Sequence, residues 1–435
     1  MVQCPAHTLG KDLYTVPQTI DLTLHDLAHG GEAVGRHEGL AVFVPYGIPG
    51  ESVRVEVVAR RKRFARGRIV EILEPSPSRV SPPCPYFGVC GGCQTQHMDY
   101  AAQAAHKRQV VATQLERIGR QADARVLETL GMAEPWAYRN HIQAGVDGRG
   151  RLGFQAAGTG PGGVERIVPI AGCLITDPGI EETWHGRATT VAARHHASLE
   201  RVVLRAGTAT GERMVILEGH GRRPPRVPRE SEASWLYRGR DGLRVLAGHD
   251  YLVDELAGRR LRVSADAFFQ VNTRQAERLV EVAGRYLALT GQETLLDAYS
   301  GVGAFALTLG QRAARVIGIE SSPTAVSDAV ANRQGGEPVE FLLGPVEAIL
   351  PTVQTPIDAI LLDPPRAGCS PAAVEALAER GAERIVYVSC DPATLARDVA
   401  LFADRGYRLV EAQPVDLFPQ TYHVETVCLM STVDK

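Results

Sequence analysis

The sequence predicts a multidomain α/β chain in three parts: a small N-terminal β-barrel of the OB type over 14–74, an α+β centre over 75–258, and a Rossmann-like, doubly wound parallel sheet over 259–435. Three observations predict it. Period-two apolar runs broken by Gly- and Pro-rich turns fill the first part, strands alternating with helical text fill the last, and 435 residues leave room for about three domains.

In the first part Ile20, Leu22 and Leu24 alternate with polar residues, and so do Val53, Val55 and Val57; Ala41 to Val44 and Ile69 to Ile72 supply further runs. HGGEAVG and PYGIPGES separate them, so the segment reads as short strands closing into a barrel, whose face commonly accepts single-stranded nucleic acid. Arg60, Arg61, Lys62, Arg63, Arg66 and Arg68 crowd around Phe64 in the hairpin between the last two strands. Such a run is often a solvated face, although an aromatic in its middle also suits phosphate contact with base stacking.

A proline-rich connector, EPSPSRVSPPCP, leads to residues 100–119, where alanines, leucine and basic residues fall at helical spacing. The centre mixes strand-like RVVLRAG and RMVILEG with Gly, Arg and Pro, and GRRPPRVPRESE reads as an exposed linker or hairpin tip. From 259 onward the text is regular: a helix around Thr273 to Leu289, then the strands TLLDAYSGVG, ARVIGIE, VEFLLG, IDAILLDPPRAG and RIVYVSCDP, separated by helical segments. YRLVEAQPVDLF and HVETVCLM, joined through PQTY, read as an antiparallel hairpin. That ending belongs to the methyltransferase version of the fold rather than the dehydrogenase version.

Composition excludes little but excludes it cleanly. With 44% hydrophobic and 22% charged residues the chain is of ordinary globular type; the start MVQCPAHTLGKD lacks a signal-peptide pattern, and no apolar run is long enough to span a bilayer. A cytoplasmic monomer with no membrane contact is expected. In a reducing compartment the thiols of Cys84, Cys90 and Cys93, in CPYFGVCGGC, are not expected to form disulfides. Their C-x5-C-x2-C spacing, with glycines and a proline to fold the backbone, suits an iron–sulfur cluster that takes a fourth thiolate from elsewhere, Cys173 in AGCLIT being the candidate. Structural zinc is the rival, although only Cys90 and Cys93 fit its usual pairing, and unrelated buried thiols are a third reading.

Asp297-Ala-Tyr-Ser-Gly-Val-Gly303 closes the first strand of the last part, and Glu320 closes the second. Glycines at this turn let the backbone approach a nucleotide, and an acid at the next strand end can accept ribose hydroxyls. The third glycine of the dinucleotide fingerprint is absent, because position 306 is alanine, so S-adenosylmethionine is the expected cofactor and NAD the weaker alternative. Asp363-Pro-Pro-Arg366 ends a buried strand, where open α/β sheets hold ligands. It also reads as a strand stop. An amino-methyltransferase would want an aromatic at position 366, where this chain has arginine.

Cys390 in VSCDP lies at a strand end before a helix that Asp391 can cap, so helix-terminal amides are expected to favour its thiolate; a buried thiol of no function is the bland alternative. A nucleophile there supports methyl transfer to an unactivated carbon: the thiolate adds to C6 of a pyrimidine, C5 takes the methyl group, and a base removes the C5 proton. Glu425, a carboxylate in an otherwise apolar terminal strand, is the candidate base, with an exposed-face glutamate as the alternative.

In these motifs the chain resembles the RNA 5-methyluridine (uracil-C5) methyltransferase family over nearly its whole length, in particular the ribosomal-RNA branch with a TRAM domain and a four-iron four-sulfur cluster. CPYFGVCGGC with Cys173, FFQVN at Phe268 to Asn272, LLDAYSGVG, DPPRAGC, VSCDP and FPQTYHVETV carry the resemblance. It implies Cys390 as nucleophile, Glu425 as base, Gln270, Tyr299, Glu320 and Asp363 as S-adenosylmethionine contacts, and Cys84, Cys90, Cys93 and Cys173 as ligands of a [4Fe-4S] cluster. The implied substrate is RNA, 23S ribosomal RNA before transfer RNA. Relatives often place an adenine-contacting acid where this chain has Gly344-Pro345, so that contact stays unassigned. Cys4, Cys369 and Cys428 match no ligand position. A base amino-methyltransferase, a non-enzymatic RNA-binding assembly factor and a radical enzyme are the competing classes; the last lacks the usual C-x3-C-x2-C signature.

Overall fold

The computed structural model describes residues 19–158, 166–228 and 232–433; Cys4, the expected barrel start at 14, and residues 229–231 of the central linker lie outside them. Two compact units divide the chain. Of the described residues, the first holds those up to 88 with 93–106 and 420–422, and the second those in 89–92, 107–419 and from 423 onward.

In the first unit β1 (Thr19–Leu27), β2 (Glu32–His37), β3 (Leu40–Pro45), β4 (Ser52–Arg60) and β5 (Phe64–Glu74) form a closed barrel in the order β1-β2-β3-β5-β4. Alternation dictates it: Ile20, Leu22, Leu24, Val53 and Val55 turn inward with Ala33, Val42, Val44 and Ala65, and closure leaves no bare sheet edge. The basic run divides. Arg66 and Arg68 pair with Glu32 and Glu56 on the barrel wall, whereas Arg60 to Arg63 are exposed at the β4–β5 tip. There the Arg61 amide donates to the Phe64 carbonyl at 2.8 Å, and Phe64 meets Phe43 edge to face with centroids 5.7 Å apart. The helix expected at 100–119 is α1 (Tyr100–Arg117).

The second unit contains two large sheets. β6 (His141–Val146), β7 (Leu152–Gln155), β8 (Ile167–Pro169), β9 (Leu199–Ala206), β10 (Arg213–Gly219), β11 (Ala233–Gly239) and β12 (Gly242–Ala247) are ordered β12-β11-β10-β9-β6-β7-β8, with α2 (Pro178–Thr183) and α3 (Thr189–His195) joined by a π turn. The two strands read from RVVLRAG and RMVILEG are β9 and β10, paired antiparallel. β13 (Tyr251–Leu256) and β14 (Arg259–Ser264) form a hairpin whose turn contains the expected boundary at 258/259.

α4 (Thr273–Leu287) opens the last part; Asn272 caps it by accepting the Gln275 amide, and Ala288 ends it in the left-handed conformation. β15 (Thr294–Ala298), α5 (Ala304–Leu309), β16 (Arg315–Glu320), α6 (Pro323–Asn332), β17 (Val339–Leu343), α7 (Val346–Ile349), β18 (Ala359–Leu362), α8 (Pro371–Ala378), β19 (Arg384–Ser389), α9 (Pro392–Ala403), β20 (Tyr407–Val415) and β21 (Glu425–Thr432) follow. The sheet order is β17-β16-β15-β18-β19-β21-β20, parallel except for β21, which runs antiparallel to both its neighbours. Its strands read as apolar runs because both faces are covered: Leu295 belongs to the core on the α4 side, Leu296 and Ala298 to the core under α8 and α9.

A crevice at the strand ends and the candidate active site

The parallel strands β15, β16, β18 and β19 all end on one side of the sheet, and the registers Ala298↔Ile319, Ala298↔Leu362 and Leu362↔Tyr387 keep those ends level. β21 arrives from the opposite direction, with Thr426 opposite Ser389. The residue after Ser389 and the one before Thr426 are Cys390 and Glu425, so an antiparallel last strand brings the expected nucleophile and base together. Neither residue type alone could do this; the reversal of one strand does.

Glu425 is 2% exposed and starts β21 against Val415. Burial, then the nearby Asp363 carboxylate, push its carboxyl well above the ordinary range, with the Arg366 guanidinium opposing. Asp363 follows β18 and accepts a hydrogen bond from Gln270 Nε2 at 3.1 Å, joining two of the expected cofactor contacts; burial raises its carboxyl also. Gln270 lies in the turn ahead of α4, held there because Asn140 Nδ2 donates to its carbonyl at 3.1 Å.

Cys390 departs from expectation in one respect. The amides at the start of α9 do not serve the thiol, because Asp391 Oδ1 accepts those of Ala393 and Thr394, each at 3.0 Å. The Cys390 thiol is instead pushed up to about 12, by burial first and by the Glu425 and Asp363 carboxylates, against the pull of Arg366. The cation of the DPPR motif is therefore the group that favours thiolate, a role sequence reasoning missed when it treated position 366 only as a lost stacking platform. Arg366 Nη2 also lies 3.3 and 3.4 Å from the two ring nitrogens of His423, which meets Phe418 edge to face. The signal for both was present in DPPR and in FPQTYHVE; only folding brought the motifs together.

The nucleotide side of the crevice is built around Asp297, Tyr299 and Glu320. Glu320 ends β16 with its carboxylate aimed by the amides of Gly301 (3.0 Å) and Ser322 (2.7 Å). Tyr299 holds a left-handed φ of 70°, unusual for a bulky residue and characteristic of functional turns. At Gly301 a Cβ would meet nothing within 4 Å, so open space lies beside the backbone there. Asp297 is fully buried; its Oδ2 accepts the Ala306 amide at 2.8 Å, and its Oδ1 has no hydrogen-bond partner. An unsatisfied buried oxygen, a bare glycine turn and four carboxylates (Asp297, Glu320, Asp363 and Glu425) fit a ligand that carries amino, hydroxyl and sulfonium groups.

The cysteine set is less decisive. Cys84 and Cys93 lie in the first unit, Cys90 and Cys173 in the second. Gly92 donates its amide to Cys90 Sγ at 3.4 Å, and Cys173 donates its amide to Glu181 Oε1 at 3.0 Å. An amide aimed at sulfur suits a metal-bound thiolate, yet among the described residues no three His, Cys, Asp or Glu side chains gather as a metal-binding group. Among the described residues the cluster is therefore not shown, and no chemistry is routed through it.

Comparisons with known proteins bear on the crevice directly. Residues 236–337 and 353–433 match the family model for tRNA (uracil-5-)-methyltransferases, and residues 15–70 match the TRAM domain. An uncharacterized RNA methyltransferase of Halalkalibacterium halodurans is 37% identical, the match covering 94% of this chain and 96% of the relative. This chain belongs to the RNA uracil-5-methyltransferase family. An uncharacterized RNA methyltransferase of Thermosynechococcus vestitus is also 37% identical, over 95% of this chain and 98% of its own length. Among solved structures, Pyrococcus abyssi tRNA (uracil-54, C5)-methyltransferase in complex with S-adenosyl-L-homocysteine superposes with a TM-score of 0.76 at 26% identity, covering 94% of this chain and 99% of that one. The barrel is thus a TRAM domain and the last sheet an S-adenosylmethionine-dependent methyltransferase fold, with RNA as substrate. Among the described residues no helix is long and apolar enough to cross a membrane.

Proposed function

We propose that this methyltransferase converts a uridine of 23S ribosomal RNA to 5-methyluridine by covalent catalysis through Cys390, with Glu425 as the base. The observation that carries the reading is the convergence of Cys390 and Glu425 at the β19–β21 strand ends, beside Asp363 and Arg366. C5 of uracil is a poor nucleophile until C6 is saturated. Addition of the Cys390 sulfur to C6 supplies the electron pair that C5 uses to take the methyl group, with loss of the sulfonium's other half as a neutral thioether. Glu425 then accepts the C5 proton, the C5–C6 double bond reforms, and the sulfur leaves C6. Bound S-adenosylmethionine supplies the methyl group, and its positive charge favours the ionised forms of Cys390 and Glu425 that burial disfavours. The base must leave its helix to reach this crevice, and the exposed Arg60 to Arg63 tip of the barrel suits contact with the RNA backbone.

Gln270, Tyr299, Glu320 and Asp363 are assigned to the cofactor, on the Gln270–Asp363 bond and the fixed Glu320 carboxylate. Cys84, Cys90, Cys93 and Cys173 are assigned to a [4Fe-4S] cluster on their spacing alone, as an architectural element outside the reaction. Transfer RNA is the second reading, favoured by the substrate of the Pyrococcus abyssi structure. Incubation with labelled cofactor and separate ribosomal and transfer RNA pools, followed by mapping of the labelled nucleotide, separates the two. Formation of 5-methyluridine by Cys390→Ala would sink the covalent mechanism.

A further inference from the structure

The loop that carries Arg366 is tied to a single face of the helix that begins directly after Cys390. Thr394, Arg397 and Asp398 fall three and four residues apart on α9 and so share that face. Thr394 Oγ1 donates to the Arg366 carbonyl at 3.0 Å. Arg397 Nη2 donates to the carbonyls of Ala367 (2.8 Å) and Cys369 (3.2 Å). Asp398, fully buried, accepts the Cys369 amide at 2.8 Å and the Tyr387 hydroxyl at 2.7 Å through one oxygen, while Arg397 Nε donates to the other at 2.8 Å. Gly368 makes the approach feasible: its φ is +74°, and a Cβ there would lie 2.4 Å from Asp398 Oδ2. Cys369 Sγ, beside Tyr299, reaches the Tyr387 hydroxyl at 3.9 Å, so the same network extends to the nucleotide side.

We infer that Thr394, Arg397 and Asp398 are positioning residues of the reaction: they clamp the 366–369 loop to α9 so that the Arg366 guanidinium is held beside the Cys390 sulfur. The inference rests on Cys390 being the nucleophile and adds what makes it reactive. Three charged groups face the Cys390 thiol from the packed elements: Glu425 on β21, Asp363 after β18, and Arg366 on the clamped loop. Two are carboxylates that oppose ionisation, and among the described residues Arg366 is the one that favours it. The guanidinium also lies 3.3 and 3.4 Å from the ring nitrogens of His423; once the loop is loosened it can move off toward that ring or solvent, which leaves the two carboxylates in charge and makes thiolate scarcer at any given pH. No other helix is needed for this, since Cys390 and the clamp share one rigid element.

The test is the pH dependence of Cys390 alkylation by iodoacetamide in the full chain, quantified by mass spectrometry on the Cys390 peptide. Fully buried Cys428 serves as the internal monitor of folding, because it reacts only if the sheet opens. Thr394→Val, which keeps shape and removes the hydroxyl, is expected to slow Cys390 alkylation at pH 8 about threefold to tenfold and move its profile to higher pH, a tenfold loss of thiolate corresponding to about one pH unit. Thr394→Ser restores the donor and should restore the wild-type profile, whereas a merely structural role would move the Cys428 signal instead. Arg397→Met provides an independent break of the same clamp with the same expected direction. Unchanged Cys390 profiles in both Thr394→Val and Arg397→Met, with Cys428 protected, overturn the inference. So does a Thr394→Ser profile as slow as that of Thr394→Val. Methylation by Cys390→Ala would refute the nucleophile reading separately and leaves these alkylation results to stand or fall by themselves.

Discussion

Replacing Asp297 with Asn should make the C-terminal sheet progressively more stable than the parent as pH rises. Asp297 is fully buried, with one oxygen on the Ala306 amide and the other unpartnered. Burial raises its carboxyl to about 8, with Asp363 and Glu320 adding to the effect and the Ala306 bond opposing it. An unfolded chain releases that proton near pH 4. Between those limits the folded state binds one proton more than the unfolded state, so stability falls as pH rises, by about 1.36 kcal/mol per unit. From pH 5.5 to 7.5 the parent should lose about 2.7 kcal/mol that the Asn variant keeps. The amide nitrogen placed at the unpartnered position adds a constant penalty, which shifts the comparison but not its slope. The assay is amide hydrogen exchange of the β15 peptide in the ligand-free chain, parent and variant side by side, so that intrinsic rates cancel at each pH. β15 lies between β16 and β18 and opens only when Asp297 is uncovered. The ratio of the two rates should change about tenfold per pH unit. A ratio constant from pH 5.5 to 7.5 would refute the reasoning.

Other perturbations probe the rest of the molecule. Glu425→Gln should still transfer the methyl group but not complete elimination, so an RNA adduct through Cys390 should accumulate as a slow band on denaturing gels; free turnover without adduct would remove Glu425 as the base. Lys107, 2% exposed, pairs with fully buried Asp416 and donates to the Phe418 carbonyl at 3.0 Å. Lys107→Met should cost about 3–5 kcal/mol in urea unfolding because a buried charge loses its partner, and adding Asp416→Leu should recover most of it. A double variant no more stable than the single one would contradict that account. For the cysteine set, iron and acid-labile sulfide should copurify with the anaerobically prepared chain and fall in Cys84→Ser and Cys173→Ser; iron-free protein of normal stability and RNA affinity would dismiss the cluster.

The strand–helix alternation of the last part was readable because its inner strands are buried on both faces and several helices carry their own start signal, as Asn272, Ser322 and Asp391 do. The barrel was readable for the opposite reason, since one face of each strand must be apolar. The seven-stranded central sheet was not, because its β10 and β11 pair in parallel across a Gly- and Pro-rich segment, with no local pattern to announce it. Cys369 matches no ligand position, yet its amide anchors on Asp398, a contact between residues 29 apart that no spacing rule encodes.

What the sequence by itself determined is the inventory of chemistry: a thiol before a capped helix, an acid in an apolar strand, acids and glycines at strand ends, and three clustered cysteines. These are local facts, set by residue type and by the short-range rules of turns and caps. The tertiary structure alone decided their electrostatics. The α9 amides that were expected to activate Cys390 are taken by Asp391, and two carboxylates delivered by β18 and β21 raise the thiol instead, so that favouring thiolate falls to Arg366. Ionisation depends on which charges and how much water lie within a few ångströms, and those neighbours come from strands far apart in the chain.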